Sequence, residues 1–246
     1  MELNNVQIER YSRNIALSEI GKEGQKRLLD AKILVCGAGG LGSTVIANLA
    51  SLGAGNLGIV DNDVLELSNL NRQYIHNLAS LGRPKADSAK DWVENYNKDI
   101  NVKIYKTRMD KENWHDIVRD YDIIADCFDS FESKFLLNDI SIDAAKPLVH
   151  AGVSEFQGQV MTIIPKKTAC LRCVFPDIDI KGYVPKGVVS PAVSVIASFE
   201  AMEILKLILN KGELLTDKML IFDGLNINRG VKILNIKRSP SCRCAI

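Results

Sequence analysis

The sequence predicts an α/β protein, a mostly parallel sheet wrapped by helices with antiparallel strands added in the C-terminal third. Two observations predict it. Short apolar runs stopped by Gly or Asp alternate with helical stretches up to about residue 151, and two β-rich runs separated by Asp223-Gly224 follow near the end. At 246 residues, 46% hydrophobic and 25% charged, the chain can bury a sizeable core.

Residues 31–37 form a short, partly β-branched run ended by Gly37, and residues 44–51 continue as a helix whose buried side is Val45, Ile46, Leu49 and Ala50. Residues 56–61 read as a second strand ending in acid, 102–105 as a third, 121–125 as a fourth and 147–151 as a fifth. Helical stretches lie between them at 85–96 and 111–119. Alternation of this kind gives parallel strands with helices on both faces. Past residue 151 the pattern changes to a strand at 158–164, a cysteine pair, a Gly- and Pro-containing loop at 177–187 and a long apolar helix. Two antiparallel strands follow at 219–222 and 231–236. With no internal repeat and no low-complexity linker, a single domain is expected.

The net charge is +1 with Lys and Arg dispersed, which marks no nucleic-acid or anionic-membrane surface. The apolar stretch 188–210 contains Glu200, Glu203 and Lys206 and opens near Pro191, so a buried helix is expected rather than a membrane span. No secretory signal is visible at 1–10, and the six cysteines read as those of a cytoplasmic protein, free or metal-bound.

Gly37-Ala38-Gly39-Gly40-Leu41-Gly42 fits the dinucleotide fingerprint, in which glycines permit a tight turn and close backbone approach, and the following helix offers unpaired N–H groups to an anion. This makes the fold Rossmann-like. Asp61, at a strand end, is placed to accept ribose hydroxyls. The loop alone does not separate NAD from ATP. The next segments favour a triphosphate, because Asp61-Asn62-Asp63, Ser68-Asn69-Leu70-Asn71-Arg72-Gln73 and Gly82-Arg83-Pro84-Lys85 bring polar and cationic residues toward one crevice. The alternative for Arg72 and Lys85 is a pair of solvated surface cations. Asp126-Cys127-Phe128-Asp129-Ser130 ends the fourth strand, where a carboxylate suits Mg²⁺ and an aspartate equally suits the cap of a helix beginning near Phe131.

Cys170-Leu171-Arg172-Cys173 is half of a tetrahedral zinc site, and Cys242-Arg243-Cys244 supplies a second half whose one-residue spacing is less usual. A disulfide or free thiols remain open. Cys36 and Cys127 fall in apolar strands and are expected in the core. His76, His115 and His150 stand apart, with no metal-ligand spacing and no neighbouring nucleophile.

Together these motifs resemble the MoeB/ThiF family, relatives of ubiquitin-activating enzymes. The likeness runs from Arg10-Tyr11-Ser12-Arg13-Asn14 and Gly24-Gln25 through the segments above, Phe156-Gln157-Gly158-Gln159 and the cysteine pairs. It implies an ATP- and Mg²⁺-dependent adenylyltransferase that activates the C-terminal glycine of a small ubiquitin-like sulfur-carrier protein. Gly37, Gly39, Gly40, Gly42, Asp61, Asp63 and Ser68 would surround the nucleotide, Asn69, Arg72 and Lys85 its phosphates, and Asp129 and Ser130 the Mg²⁺ end. Arg13 would reach the same phosphates from the other subunit of a homodimer, and Cys170, Cys173, Cys242 and Cys244 would hold a structural Zn²⁺.

The resemblance also implies an N-terminal helical arm at 1–30, a nucleotide-binding half at 31–155 and a carrier-binding and zinc half at 156–246. Some members carry a cysteine in the loop before the long helix, and residues 177–187 contain none. The sulfur step would then fall to a separate sulfurtransferase. Two alternatives stand beside this reading. One is adenylylation of a peptide or tRNA-linked carboxylate, and the other is an NAD(P)-dependent oxidoreductase, which the glycine loop and Asp61 permit but which leaves Arg72, Lys85 and Asp129 unexplained.

Overall fold

The computed structural model describes residues 2–176, 187–226, 228 and 230–245. The chain runs α1 (Asn5–Arg10), α2 (Ser12–Ile15), α3 (Gly21–Asp30), β1 (Lys32–Cys36), α4 (Gly40–Leu52), β2 (Asn56–Val60) and α5 (Lys85–Tyr96). It continues through β3 (Asn101–Tyr105), α6 (Trp114–Val118), β4 (Ile123–Asp126), α7 (Phe131–Asp143), β5 (Leu148–Ser154), β6 (Gln157–Ile163) and α8 (Leu171–Val174). Then come α9 (Ser190–Leu209), β7 (Lys218–Asp223) and β8 (Val231–Asn235). One sheet holds the strands in the order β3-β2-β1-β4-β5-β6-β7-β8. The first five pair in parallel, and β5–β6, β6–β7 and β7–β8 are antiparallel.

Alternation along β1 explains why the sheet is covered twice. Ile33 and Val35 point to one face, where Val45, Ile46 and Leu49 of α4 meet Val193, Ile196 and Ile204 of α9. Leu34 and Cys36 point to the other face, where Phe135, Ile140 and Ile142 of α7 pack. A strand with both faces buried reads as a continuous apolar run, as β1 does.

The topology positions a site. Strand order reverses between β1, which continues outward to β2 and β3, and β4, which continues the other way, so a crevice opens at the C-terminal ends of β1 and β4. Gly37 follows β1 and Cys127 follows β4, and Cys127 N–H donates to the Cys36 carbonyl at 3.0 Å. The antiparallel strands extend the sheet beyond β5 and carry Gln159 and Ile221 toward the same end.

Helix α9 carries Pro191 in its first turn, with no side-chain cap, and ends at Asn210 in a left-handed conformation. Its two acids are buried and accounted for differently. Glu203 pairs with Lys206 and accepts the Thr162 hydroxyl at 2.5 Å and the Leu215 N–H at 2.8 Å. Glu200 accepts weak thiol contacts from Cys127 at 3.6 and 3.7 Å and lies against the Asp126 backbone. Among the described residues no helix is long and apolar enough to cross a membrane.

One helix differs from expectation. The helix predicted over 111–119 begins only at Trp114, because the Asp110 carboxylate accepts the N–H groups of Glu112 and Asn113 and holds a turn there. The Gly- and Pro-containing loop expected at 177–187 lies outside the described residues apart from Gly187, whose carbonyl accepts the Glu155 N–H at 2.8 Å.

Candidate active site

The glycine turn after β1 is built by two close approaches. Gly37 has φ +105° and a Cβ there would lie 2.7 Å from the Cys127 carbonyl oxygen, while a Cβ on Gly42 would lie 1.9 Å from the Gly37 oxygen. Neither position accepts a side chain without moving backbone. Helix α4 starts at Gly39 with no side-chain cap, so the N–H groups of its first turn are open toward the cleft.

Asp61 ends β2 and is spent partly on this turn. Its Oδ2 accepts the Ala38 N–H at 2.7 Å and its Oδ1 the Asp63 N–H at 2.8 Å. Burial pushes its carboxyl up despite these bonds and the nearby Lys85 charge. A ribose would have to share the remaining lone pairs. His76 braces the turn from behind, its Nε2 2.9 Å from the Ala38 carbonyl oxygen and its Nδ1 2.8 Å from the Ser88 hydroxyl. Burial holds its pKa down.

Beyond the turn lies an open cleft of about 1600 Å³, solvent included. Gly37, Gly39 and Gly40 line it on one side, Asn69, Arg72 and Lys85 with Asp63 on a second, and Asp129 and Ser130 on a third. Lys85 opens α5 and its Nζ lies 2.8 Å from Asp63 Oδ2. Arg72 leans over Gly40 and donates to the Ser68 carbonyl and Asn71 Oδ1. Asn69 closes a short 3₁₀ turn, its Oδ1 accepting the Glu66 N–H.

The aspartates at the β4 end divide their work in a way the sequence left open. The cap of α7 is Ser130, whose Oγ accepts the Ser133 N–H at 3.2 Å. Neither Asp126 nor Asp129 caps the helix. Asp126 is fully buried between Lys134 Nζ at 3.3 Å and His150 Nδ1 at 2.7 Å, and burial, which pushes a carboxyl up, is outweighed by the Lys134 charge and the His150 hydrogen bond, which hold it below the usual range. Asp129 is exposed in the cleft, with no hydrogen-bond or ion-pair partner among the described residues. It is the carboxylate left over for a cation.

Four residues expected at the nucleotide do not line this cleft in the single chain. Gly42 is consumed by the turn, Asp61 is buried behind it with its oxygens on the Ala38 and Asp63 N–H groups, Ser68 turns its hydroxyl to Glu66 at 3.4 Å, and Arg13 is exposed on α2. Sequence reasoning also passed over several that do belong. Gln73 is 3% exposed, lines the cleft, and its Oε1 has no partner among the described residues. Its position directly after Arg72 was the available signal. Lys134 and His150 gave none, since parallel register alone brings Asp126 and His150 together.

The four cysteines Cys170, Cys173, Cys242 and Cys244 converge, with all sulfurs within 4.8 Å of one another. Cys170–Cys242 and Cys173–Cys244 separations are 3.6 and 3.5 Å, too long for disulfides at about 2.05 Å. Four thiols around a bond length of about 2.3 Å would stand about 3.8 Å apart, so the set fits a tetrahedral Zn²⁺ with no open position. The one-residue spacing of Cys242 and Cys244 is absorbed by a 3₁₀ turn, Arg243–Ala245. Cys36 and Cys127 are buried, as expected, although Cys127 also borders the cleft.

A model of the ThiF family matches residues 11–244. The chain belongs to the ThiF family. It is 38% identical over 246 residues to the SAMP-activating enzyme E1 of Haloferax volcanii, covering 98% of this chain and 90% of that protein. It is 36% identical to the sulfur carrier protein adenylyltransferase of Thermus thermophilus, covering 96% and 90%. The adenylyltransferase and sulfurtransferase MOCS3 of Culex quinquefasciatus is 39% identical, and this chain spans about half of that longer protein, 52%. Among solved structures, E. coli MccB with ATP superposes with a TM-score of 0.84 at 26% identity, covering 98% of this chain and 75% of that one. As a ThiF-family chain, it has its glycine turn, cationic wall and free Asp129 around one cleft, and the oxidoreductase alternative has no place.

Proposed function

We propose that this protein is an ATP- and Mg²⁺-dependent adenylyltransferase that activates the C-terminal glycine carboxylate of a small ubiquitin-like sulfur-carrier protein, releasing pyrophosphate. The observation that carries the reading is Asp129, an unpaired carboxylate in a cleft that Arg72, Lys85 and the N-terminus of α4 also line, and whose other acids, Asp63 and Glu132, pair with Lys85 and Arg108. Such a wall suits a polyphosphate, and a lone carboxylate facing it suits the cation that accompanies one. The sulfur-carrier substrate is supported by relatives named for carrier activation at 36 and 38% identity over nearly the whole chain.

The chemistry asks for little beyond placement. A glycine carboxylate is already ionised at neutral pH and attacks the α-phosphorus of ATP, forming a mixed acyl-phosphate anhydride while the bond to pyrophosphate breaks. No base is needed, so orientation and charge neutralisation carry the rate. Gly37, Gly39 and Gly40 give backbone access, Asp61 and Gln73 hold the nucleoside end, and Asn69, Arg72 and Lys85 bind phosphate oxygens. Bound Mg²⁺ at Asp129 would neutralise charge on the departing pyrophosphate.

In this reading the protein is a cytoplasmic homodimer, and Arg13 of the partner subunit completes the phosphate wall. A Zn²⁺ on the four cysteines holds α8 to the C-terminal turn, and the sulfur step belongs to a separate sulfurtransferase. The half at 31–155 binds nucleotide, the half at 156–246 meets the carrier, and residues 1–30 form the arm. The test is ATP–pyrophosphate exchange with Mg²⁺ and a Gly-Gly-terminated carrier, with mass spectrometry of the carrier for an added AMP. Exchange only with the carrier present is expected. Exchange driven instead by a free peptide lacking Gly-Gly, or absent with every carrier, overturns the reading.

A further inference from the structure

A second recess of about 710 Å³, solvent included, opens beside the nucleotide cleft on the end of β5, β6 and β7. The two hollows share Asp129, Phe131, Lys134 and Val153, so they form one continuous space. Lys134 stands at the junction. Its side chain is 8% exposed, and its Nζ donates to the Ala151 carbonyl at 2.6 Å and to Asp126 Oδ1 at 3.3 Å. An ammonium has three N–H groups, so one is left.

One of the other polar groups of the recess, Gln159, is oriented by a chain of bonds, and Ser154 and Gln157 line the recess beside it. Burial holds His150 below its usual pKa, so it is neutral at pH 7. The ionised Asp126 at 2.7 Å takes the Nδ1–H, which makes Nε2 the acceptor. Gln159 Nε2, 3.2 Å away, must then be the donor to it. That fixes the flip of the amide, and Gln159 keeps its Oε1 as an acceptor with no partner among the described residues. Gly152 leaves room for this bond, because a Cβ there would lie 3.3 Å from Gln159 Nε2 and 3.6 Å from His150 Nε2.

We propose that Lys134 and Gln159 form the acceptor subsite, in which the third N–H of Lys134 binds the terminal carboxylate of an extended peptide and Gln159 Oε1 accepts a backbone N–H of the same chain end. This rests on the adenylylation reading. Lys134 and Gln159 touch substrate, whereas Asp126 and His150 are positioning residues that set the ammonium and the amide. The pair selects a free C-terminus: a cation for its carboxylate and one acceptor for its peptide N–H. Lys134 lines both hollows, so a carboxylate held on it faces the adjoining nucleotide cleft.

The experiment measures carrier KM and kcat by pyrophosphate exchange and ATP Kd by direct titration, in wild type, K134R, K134M and Q159L, with thermal melts alongside. Wild-type exchange that requires the carrier is the control for the underlying reading. Given it, K134M raises carrier KM about 10- to 100-fold, the worth of a charge-assisted hydrogen bond. ATP Kd stays within twofold, and K134R restores most of the loss. Because K134M leaves Asp126 without its ammonium, Q159L serves as the second probe, and it raises carrier KM about 3- to 10-fold with an unchanged melt. Carrier KM unchanged in Q159L and in folded K134M, or a rise matched by an equal rise in ATP Kd, overturns the subsite alone. No exchange by wild type with any carrier overturns the adenylylation reading and the subsite with it.

Discussion

The Ala38 N–H donates to Asp61 Oδ2 at 2.7 Å, so the carboxylate at the end of one strand holds the glycine turn at the end of the next. The second oxygen accepts the Asp63 N–H. In D61N one of these N–H groups faces an amide NH₂ and loses its acceptor. The expected cost is about 1.5–3 kcal/mol of stability, the scale of a hydrogen bond to a charged group. ATP affinity falls with it, and urea unfolding with ATP titration checks both.

Gly42 and Gly21 make a paired test of what the glycines do. A Cβ on Gly42 would meet the Gly37 oxygen at 1.9 Å, whereas Gly21 has φ +57° and open space around it. G42A therefore has to move the phosphate turn, and at least a tenfold rise in ATP Kd is expected. G21A meets only backbone strain of about 1 kcal/mol, with ATP Kd unchanged. Equal effects on ATP binding would remove the steric account.

Asp129 is expected to matter to catalysis and not to folding. It is exposed and makes no bond among the described residues, so D129N should shift stability by no more than about 0.5 kcal/mol. Pyrophosphate exchange should drop about 100-fold or more, with a higher Mg²⁺ requirement. A melt lowered by several degrees would mean that the carboxylate is structural.

Much of this was readable in advance because the signals are local. Short apolar runs bounded by Gly or Asp located β1 to β5, and the Lys85–Tyr96 helix has the bounds its pattern implied. The glycine turn, Arg72, Lys85 and Asp129 came from contiguous motifs. What stayed hidden depends on register. Asp126 and His150 are adjacent only because β4 and β5 pair with those two residues as partners, and Lys134 joins them from a helix turn above. The choice of Ser130 over Asp126 and Asp129 as the cap was hidden too, since serine and aspartate both cap helices well. Asp61 was legible as a functional position, but its bond to Ala38 was not.

Removal of zinc should loosen the C-terminal end and leave the nucleotide cleft intact. Cys170 is the N-cap of α8 and Cys173 lies within it, and Cys244 is packed in the core with Leu171 and Phe135. The four thiols tie that packing to residues 242–244 across about seventy positions of sequence, 72 for Cys170–Cys242. Chelation or C173S should lower Tm by several degrees, and ATP Kd should change less than threefold. One zinc per chain by elemental analysis, lost in C173S, is the matching readout.

Glu200 sets a pH dependence of its own. It is fully buried on α9 with no cation at ion-pair distance among the described residues. Burial pushes its carboxyl well above the usual range, the Asp126 charge adds to the push, and Lys134 opposes it only in part. The unfolded chain ionises Glu200 near the ordinary carboxylate value. Its contribution is therefore whole below that value and is lost as pH rises toward the raised folded value, because there the folded chain holds a proton that the unfolded chain has released. The slope is up to about 1.4 kcal/mol per pH unit. Glutamine in its place does not titrate, so the stability of E200Q relative to wild type should grow steadily from pH 5 to pH 8 in urea unfolding. Parallel curves for the two proteins across that range would mean that Glu200 is ionised in the folded state.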